Sequence, residues 1–181
     1  FACGKDAGDW MFGKNSYQIL HNAIDTKIYQ YDYQKRKESR TKLGIGEELL
    51  IGHVGRFRLQ KNHVFLIDIF AEIVKQQPDS KLLLVGDGDE KEKIQEKIEQ
   101  LQLQKKVLLL GARSDVNELM QAMDVFVFPS LYEGLPLTMI EAQAAGLPCV
   151  ISDSIPRECV ITKGLVSYKG LNEGAKEWAA H

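Results

Sequence analysis

Residues 81–112, KLLLVGDGDEKEKIQEKIEQLQLQKKVLLLGA, decide the fold class of this chain. Short apolar runs ending in glycine stand at both ends of the segment. Between them, Ile94, Ile98 and Leu101 recur at helical spacing among charged residues, which predicts an amphipathic helix. A strand, a helix and a second strand in this order predict a parallel pair, because the helix supplies the crossover that parallel strands need.

The same alternation continues on both sides of this segment. Further strands are predicted at 49–55, 124–130, 147–153 and 164–170. Further helices are predicted between Asn62, as the cap, and Pro78, and at 114–123 with a Ser114 cap. Two more are predicted at 136–145 from Pro136 and at 172–180, with a short helical turn near 155–159. The pattern predicts an α/β fold: a Rossmann-like parallel sheet with helices on both faces. Right-handed crossovers then bring the carboxyl ends of all strands, where ligands bind in such sheets, to one edge.

The first 47 residues lack this alternation, and we expect a linker or crossover segment at 1–47 and the Rossmann-like domain at 48–181. Residues 33–45 could form a short solvated helix. The chain begins FACGKDAGDW, without an initiator Met or a basic leader. This start predicts a fragment of a longer protein, with a processed N-terminus as the alternative.

Composition excludes several function classes. The net charge of -2 gives no electrostatic argument for nucleic acid or anionic membrane, and no apolar run approaches the roughly 18 residues of a membrane span. The three cysteines form no C-x-x-C. An odd number of cysteines leaves one unpaired in any scheme, so we expect a reducing compartment. The four histidines, at 21, 53, 63 and 181, show no metal-ligand spacing, so we expect no metal site.

The first strand exit, GRFRLQKN (55–62), predicts a phosphate site. Gly55 ends the strand, and Arg56 and Lys61 follow before a helix begins. Helix N-termini favour anions, and Arg and Lys are the usual side chains that hold phosphate. The alternative is a polar loop with exposed basic residues.

Two further strand exits offer weaker signals. Gly86 and Gly88 lie in GDGDEK, which departs from the G-x-G-x-x-G dinucleotide pattern because Lys91 stands where the third Gly would be. These glycines indicate either close approach of the backbone to a ligand or a tight turn. Ala112 and Arg113 follow the next strand, where free backbone groups could contact a planar base; a plain turn explains them as well.

The stretch YEGLPLTMIEAQAAGLP (132–148) holds two glutamates, Glu133 and Glu141. A helix starting near Pro136 leaves Glu133 in the preceding loop. Eight helical residues would separate the two carboxylates by about 12 Å along the axis and about 80° around it. This geometry does not match the acid and base of a glycosidase. We expect two holders of one ligand, with an exposed loop acid and a helix-surface acid as the alternatives.

Taken together, VGRFRLQKNH, KLLLVGDGDEKEKI and VLLLGARSDVNELMQAMDVFVFPSLYEGLPLTMIEAQAAGLPCVISDSIP resemble the donor-binding half of a retaining glycosyltransferase. The family is group 1 (family 4), with the GT-B fold, and the tail resembles its capsular and exopolysaccharide members. The E-x7-E spacing is the family's motif, and the match covers residues 50–160 in order. The donor would be a nucleoside diphosphate sugar, and transfer would retain the anomeric configuration.

The resemblance also implies roles for individual residues. Arg56 and Lys61 would bind the donor diphosphate, and Glu133 the sugar hydroxyls; these would be the catalytic residues. Glu141 would hold the ribose hydroxyls. The remaining substrate-binding residues would be Gly55, Gly86, Gly88, Ala112, Arg113, Gly134, Leu135, Pro136 and Leu137. No metal or other cofactor is implied.

The same resemblance implies a missing first domain. The acceptor, a glycan or a lipid-linked sugar, would bind there, so the fragment alone should be inactive. No nucleic-acid partner is expected. The location would be cytoplasmic, with peripheral contact at the inner membrane face through the missing domain as an alternative.

Two other functions remain open. A GT-B nucleotide-sugar epimerase is disfavoured by the E-x7-E spacing. A non-catalytic flavodoxin-like binding module is the third interpretation. Its phosphoacceptor form would need acidic residues where Gly55 and Arg56 stand.

Overall fold

A computed structural model describes residues 1–13, 16–20 and 22–180. Its strands form one parallel sheet in the order β3-β2-β1-β4-β5-β6. The strands are β1 (Leu49–Val54), β2 (Ser80–Val85), β3 (Val107–Leu109), β4 (Val125–Phe128), β5 (Cys149–Ser152) and β6 (Val166–Lys169). The strand order reverses direction between β1 and β4, as in a Rossmann-like fold. The predicted fold class is confirmed.

Helices connect these strands and precede the first of them. They are α1 (Lys5–Phe12), α2 (Thr26–Tyr29), α3 (Tyr33–Leu43), α4 (His63–Gln76), α5 (Lys91–Gln100), α6 (Val116–Ala122), α7 (Leu137–Ala144) and α8 (Ala175–Ala179). Single 3-10 turns lie at Leu59–Lys61 and Arg157–Cys159. The strands are shorter than predicted, because the glycine-rich exits leave the sheet to form loops at its carboxyl edge.

Two apolar cores lie on opposite faces of the sheet. Along β1, Leu50 belongs to one core and Ile51 to the other, and both are fully buried. The core around Leu50 packs against α6 and α7, and the core around Ile51 packs against α4, α5 and α8. This alternation explains why the central strands are apolar throughout: a parallel sheet is covered on both faces.

Two of the predicted helix caps, at Asn62 and Ser114, are wrong. Asn62 has a left-handed backbone (φ 56°), and its side chain caps no helix N–H. Asp115, rather than Ser114, takes the N-cap position of α6, without a side-chain cap. Pro136 is the N-cap residue of α7, which begins one residue later. Residue type alone suggested these caps, whereas tertiary contacts of the preceding loops determine the residue at which each helix begins.

The helix predicted as solvated, α3, is bound to the sheet domain through Asp124. The Arg36 guanidinium donates to the Asp124 carboxylate at 2.5 Å and to the Met123 carbonyl at 2.7 Å. Arg40 is buried; it also contacts Asp124 and donates to the carbonyls of Ala122, Gly46 and Glu48. Residues 33–48 therefore pack as part of the domain on this side. The predicted boundary at residue 48 stays a prediction, and His21 and His181 lie outside the described residues.

The segment before α3 is held by a buried glutamine. The Gln121 side chain donates to the Tyr29 carbonyl at 2.8 Å and accepts from the Asp32 N–H at 3.0 Å. Tyr29 itself is buried in the core beside α6 and α7. Part of the predicted linker or crossover segment thus contacts the core of the domain, while the division of the chain at residue 48 stays a prediction.

Replacing Arg40 should test how far α3 stabilises the domain. Arg40→Met should lower the free energy of unfolding by about 3 kcal/mol, because it removes a buried donor from Asp124 and from three carbonyls. Lys42→Met, on the same helix, removes only an exposed pair with Glu118 and should cost about 0.5 kcal/mol or less. Chemical denaturation of both variants measures the difference, and equal losses would contradict the assignment of α3 to the domain.

Candidate functional site

Two clefts lie at the carboxyl edge of the sheet and share Gly55, Arg56 and Arg58. The first encloses about 510 Å³ and lies between the loop after β1 and the loop that leads from β4 into α7. Its other lining residues are Asn22, Gln60, Lys61, Glu133, Leu135, Pro136, Leu137 and Thr138. The structure thus brings together the residues predicted to hold phosphate and sugar.

The second cleft, also about 510 Å³, lies between the loops after β1, β2 and β3. Its other lining residues are Val54, Val85, Gly86, Asp87, Gly88, Asp89, Ala112, Arg113 and Val116. The residues predicted to flank a base therefore lie in one cleft. The shared arginines place it directly beside the first.

Lys61 and Glu133 form a buried ion pair in the first cleft. The Lys61 Nζ lies 2.6 Å from the Glu133 Oε1, and their side chains are 16% and 8% exposed. The ammonium also lies 4.6 Å from the centroid of the Phe128 ring, a cation–π distance. A cation and a carboxylate predicted to bind different parts of one donor thus bind each other in the structure.

Arg56 and Arg58 present exposed guanidinium groups to both clefts. Within the described part of the chain, neither guanidinium has an ion-pair partner, in contrast to Arg36, Arg40 and Arg113. The two arginines are therefore available to an anion. The family resemblance assigned no role to Arg58, although it belongs to the predicted phosphate loop GRFRLQKN; its place in the lining of both clefts makes it a candidate site residue too.

The Leu59–Lys61 turn is hydrogen-bonded to the loop 129–133. The Leu131 N–H donates to the Gln60 carbonyl at 2.8 Å, and the Gln60 side chain donates to the Tyr132 carbonyl at 2.9 Å. The Asn62 side chain donates to the Pro129 carbonyl at 3.2 Å. Sequence analysis assigned Gln60 no role and made Asn62 a helix cap, because these bonds join positions about seventy residues apart.

Gly86 and Gly88 are required by packing between two loops. A Cβ at Gly86 would lie 1.9 Å from the Gly55 carbonyl oxygen, and one at Gly88 would lie 2.5 Å from the Phe57 carbonyl oxygen. Backbone hydrogen bonds from Phe57 to Asp87 and from Glu90 to Phe57 hold the same loops together. Loop contact, which sequence analysis did not consider, explains both glycines. Their approach to a ligand stays a prediction.

Arg113 is fixed in place at the rim of the second cleft. Its Nε and Nη2 donate to the two carboxylate oxygens of Asp115 at 2.8 and 2.6 Å. This fork geometry raises the pKa of Arg113 and lowers that of Asp115. The result is a planar cation of defined orientation beside Ala112.

The two glutamates of the E-x7-E motif occupy different surroundings. Glu133 lines the first cleft, whereas Glu141 on α7 lines neither cleft. The Tyr29 hydroxyl bonds to Glu141; burial, and then this bond, raise the pKa of Tyr29. Gly134 is turned toward α1, with Ala7 3.6 Å from the point where a Cβ would stand. Glu133 thus lies in the loop before α7 and Glu141 within the helix, as expected, and their roles as two holders of one ligand stay a prediction.

Two buried imidazoles lie beneath the first cleft. His53 on β1 and His63 at the start of α4 have ring centroids 4.7 Å apart, and His53 Nδ1 donates to the Val127 carbonyl at 2.8 Å. The Nε2 of His53 and both nitrogens of His63 have no hydrogen-bond partner among the described residues. Desolvation lowers the pKa of His53 to about 4 and that of His63 to about 2. Both rings are therefore neutral at physiological pH.

These histidines should destabilise the fold in acid. In the unfolded chain His63 binds a proton below pH about 6.5, whereas in the folded chain it stays neutral, so stability falls as the pH decreases through this range. His63→Phe should reduce the pH dependence of the unfolding free energy by about 1.4 kcal/mol per pH unit between pH 6 and 4. Denaturation of both proteins across this range measures the slope, and equal slopes would show that His63 is not buried neutral.

The described residues give no sign of a metal site or a membrane span. In ranges 1–13, 16–20 and 22–180, no group of three His, Cys, Asp or Glu side chains is arranged to hold a metal ion. No helix there has the length and apolar character needed to cross a bilayer. His21 and His181 lie outside these ranges.

Two clefts at the carboxyl edge of a parallel sheet, beside the switch point of its strand order, lie where open α/β sheets bind their ligands. Comparison with known proteins identifies the family of this chain. The family model for "Glycosyl transferases group 1" matches residues 35–172. The chain therefore belongs to the group 1 glycosyltransferases, which confirms the resemblance seen in the sequence and favours the transferase over the two alternative functions.

Individual relatives support this assignment. A Bacillus subtilis (strain 168) protein named as glycosyltransferase EpsF is 42% identical over 184 residues, covering 98% of this chain and 48% of the relative. An Escherichia coli UDP-Gal:alpha-D-GlcNAc-diphosphoundecaprenol alpha-1,3-galactosyltransferase is 33% identical, covering 79% of this chain and 38% of the relative. The chain thus spans about half the length of the curated relatives it matches, or less.

A solved structure shares the fold. Anabaena HepE in complex with UDP and glucose superimposes with a TM-score of 0.81 at 25% identity, covering 90% of this chain and 45% of HepE.

Relatives in Vi polysaccharide and amylovoran biosynthesis support the polysaccharide-type subgroup.

Proposed function

We propose that this chain is the donor-binding domain of an enzyme that transfers a sugar from a nucleoside diphosphate sugar to a glycan or lipid-linked acceptor, with retention of configuration. The single observation that supports this most strongly is the pair of adjoining clefts that share Arg56 and Arg58. A diphosphate at the shared wall would have its base in one cleft and its sugar in the other.

The first cleft has the chemistry of a leaving-group site. Arg56, Arg58 and Lys61 supply positive charge at one wall. In sugar transfer the nucleoside diphosphate departs with added negative charge, and fixed cations stabilise that charge without reorganisation. Glu133, beside Lys61, would accept hydrogen bonds from donor-sugar hydroxyls. No metal is needed in this scheme, because the three side chains supply the charge.

Donor binding must replace the ion pair between Lys61 and Glu133. Lys61 and Glu133 neutralise each other at 2.6 Å. A diphosphate that approaches Lys61 and a sugar that approaches Glu133 replace one internal contact with two contacts to the ligand. Binding of the complete donor thus gives both charged groups a new partner. Binding of the nucleotide alone gives a new partner only to Lys61 and weakens the contact that Glu133 had with it.

The second cleft would bind the base. The base would lie near Ala112 and the fixed Arg113 guanidinium, between the glycine-rich loops after β1 and β2. Glu141 lines neither cleft, so the ribose would extend beyond them toward α7, where this carboxylate, bonded to the Tyr29 hydroxyl, would hold the ribose hydroxyls. The complete site would include a further domain of the longer protein, which binds the acceptor. The enzyme would act in the cytoplasm.

Substitution of Lys61 should separate phosphate binding from base binding. Lys61→Met should weaken UDP binding about 10- to 100-fold, because it removes a cation and leaves Glu133 unpaired near the phosphates. Uridine binding should be unchanged. Calorimetric titration of UDP and uridine, with GDP and ADP in parallel, measures the effect in the longer protein that carries this domain.

The control for this titration is Lys93→Met. Lys93 forms an exposed pair with Glu90 outside both clefts, so its loss should leave nucleotide binding unchanged. Equal weakening of UDP and uridine by Lys61→Met would contradict a diphosphate role. The same longer protein should transfer sugar from its donor, whereas residues 1–181 alone should show no turnover by mass spectrometry.

Glu141 should discriminate ribose from deoxyribose. If its carboxylate accepts hydrogen bonds from the ribose hydroxyls, wild-type protein should bind UDP about tenfold more tightly than 2′-deoxy-UDP. Glu141→Ala should remove most of this difference. Glu99→Ala, on α5, serves as the control. A preference for UDP that persists in Glu141→Ala would assign the ribose to another residue.

A further inference from the structure

We propose that Gln60 and Asn62 are positioning residues for Lys61. Their bonds to the loop 129–133 fix the Lys61 ammonium at the wall of the first cleft. The proposal rests on the function proposed above, because it assumes that Lys61 acts on the donor diphosphate. It adds two residues that touch neither phosphate nor sugar in that scheme and act through Lys61.

Contacts on both sides of Lys61 support the proposal. On one side the Gln60 carbonyl accepts from the Leu131 N–H at 2.8 Å, and the Gln60 side chain donates to the Tyr132 carbonyl at 2.9 Å. On the other side Asn62 donates to the Pro129 carbonyl at 3.2 Å. Residues 60 and 62 are therefore both attached to the loop that ends in Glu133, and Lys61 lies between them.

The backbone of Asn62 makes this arrangement specific. Its φ of 56° lies in the left-handed region, where Asn is tolerated and Gly is favoured. If the position required only this backbone, Gly would serve at least as well. The Asn62 side chain caps no N–H of α4 and instead donates to the Pro129 carbonyl in the loop after β4. The amide group therefore has a function that the backbone conformation does not require.

Lysine depends on such support more than arginine does. Its ammonium is a point charge on a flexible four-carbon stem, and several rotamers compete when the backbone beneath it is loose. Stabilisation of a departing diphosphate requires a cation already in position, since reorganisation during the reaction reduces the benefit. Loss of the cross-loop bonds should therefore reduce turnover more than donor binding.

The test compares two Gly substitutions in the longer protein that carries this domain. Asn62→Gly keeps the left-handed backbone and removes only the amide. Gln102→Gly is the matched control, because Gln102 is the other described non-glycine residue with positive φ (57°) and lies in the turn after α5, outside both clefts. Donor kcat and KM are measured for both variants, together with Tm.

We expect Asn62→Gly to lower kcat about tenfold or more, with a much smaller change in donor KM and no fall in Tm. Gln102→Gly should match wild type in kcat and KM. Asn62→Asp keeps the size and the left-handed tendency but cannot donate to Pro129, so it should lose turnover as Asn62→Gly does. Gln60→Ala provides a second measurement on the other side of Lys61 and should also lower kcat more than it raises KM.

The outcomes separate this proposal from the one on which it rests. Wild-type kcat in both Asn62→Gly and Gln60→Ala would overturn the positioning role. So would a loss of kcat in Asn62→Gly that a fall in Tm and in the folded fraction fully explains, with Gln60→Ala unchanged. Failure of the wild-type protein to bind UDP, GDP or ADP, or to transfer sugar, would instead contradict the proposed function.

Discussion

The parallel pairing of β1 with both β2 and β4 is the constraint on which the site depends. Parallel strands end at the same edge, so the loops after β1, β2 and β4 meet although they lie about thirty residues or more apart in sequence. The loop after β1 contacts the loop after β2 through backbone bonds at Phe57. It contacts the loop after β4 through Gln60, Lys61 and Asn62. Both clefts therefore share the β1 loop as a wall, and the same two arginines, Arg56 and Arg58, line both.

The order of helices and strands could be predicted because each element has a local signal. Apolar runs such as LLIGHV, and the spacing of Ile94 and Ile98, reflect the burial that each element finds in the fold. The helix caps could not be predicted, since Asn62 and Asp115 have positions set by the preceding loops. The role of α3 was also hidden: Arg36 and Arg40 look like part of a solvated basic run. Only the tertiary position of Asp124 shows that both are held by a carboxylate and backbone carbonyls.

Part of the site was predictable for a similar reason. Chemically distinctive residues at strand exits, such as Arg56, Lys61 and Glu133, were singled out by type and position. Residues that act through main-chain contacts were not, because an exposed Gln or Asn in a loop has no distinctive pattern. The glycines illustrate the same limit. Gly86 and Gly88 were expected to admit a ligand or make a turn, whereas the structure shows that a carbonyl of the neighbouring loop occupies the space of a side chain.

The two glutamates of the E-x7-E motif are each restrained by a residue distant in sequence. Glu133 is held by Lys61 from the loop after β1, and Glu141 is contacted by Tyr29 from the segment before α3. Tyr29 is in turn fixed through its carbonyl by Gln121 on α6. Without these two contacts both carboxylates would have free rotamers, which carry conformational entropy that a ligand would have to remove. Packing against Lys61 and Tyr29 removes part of that entropy during folding, so the fold orients both acids before a donor arrives.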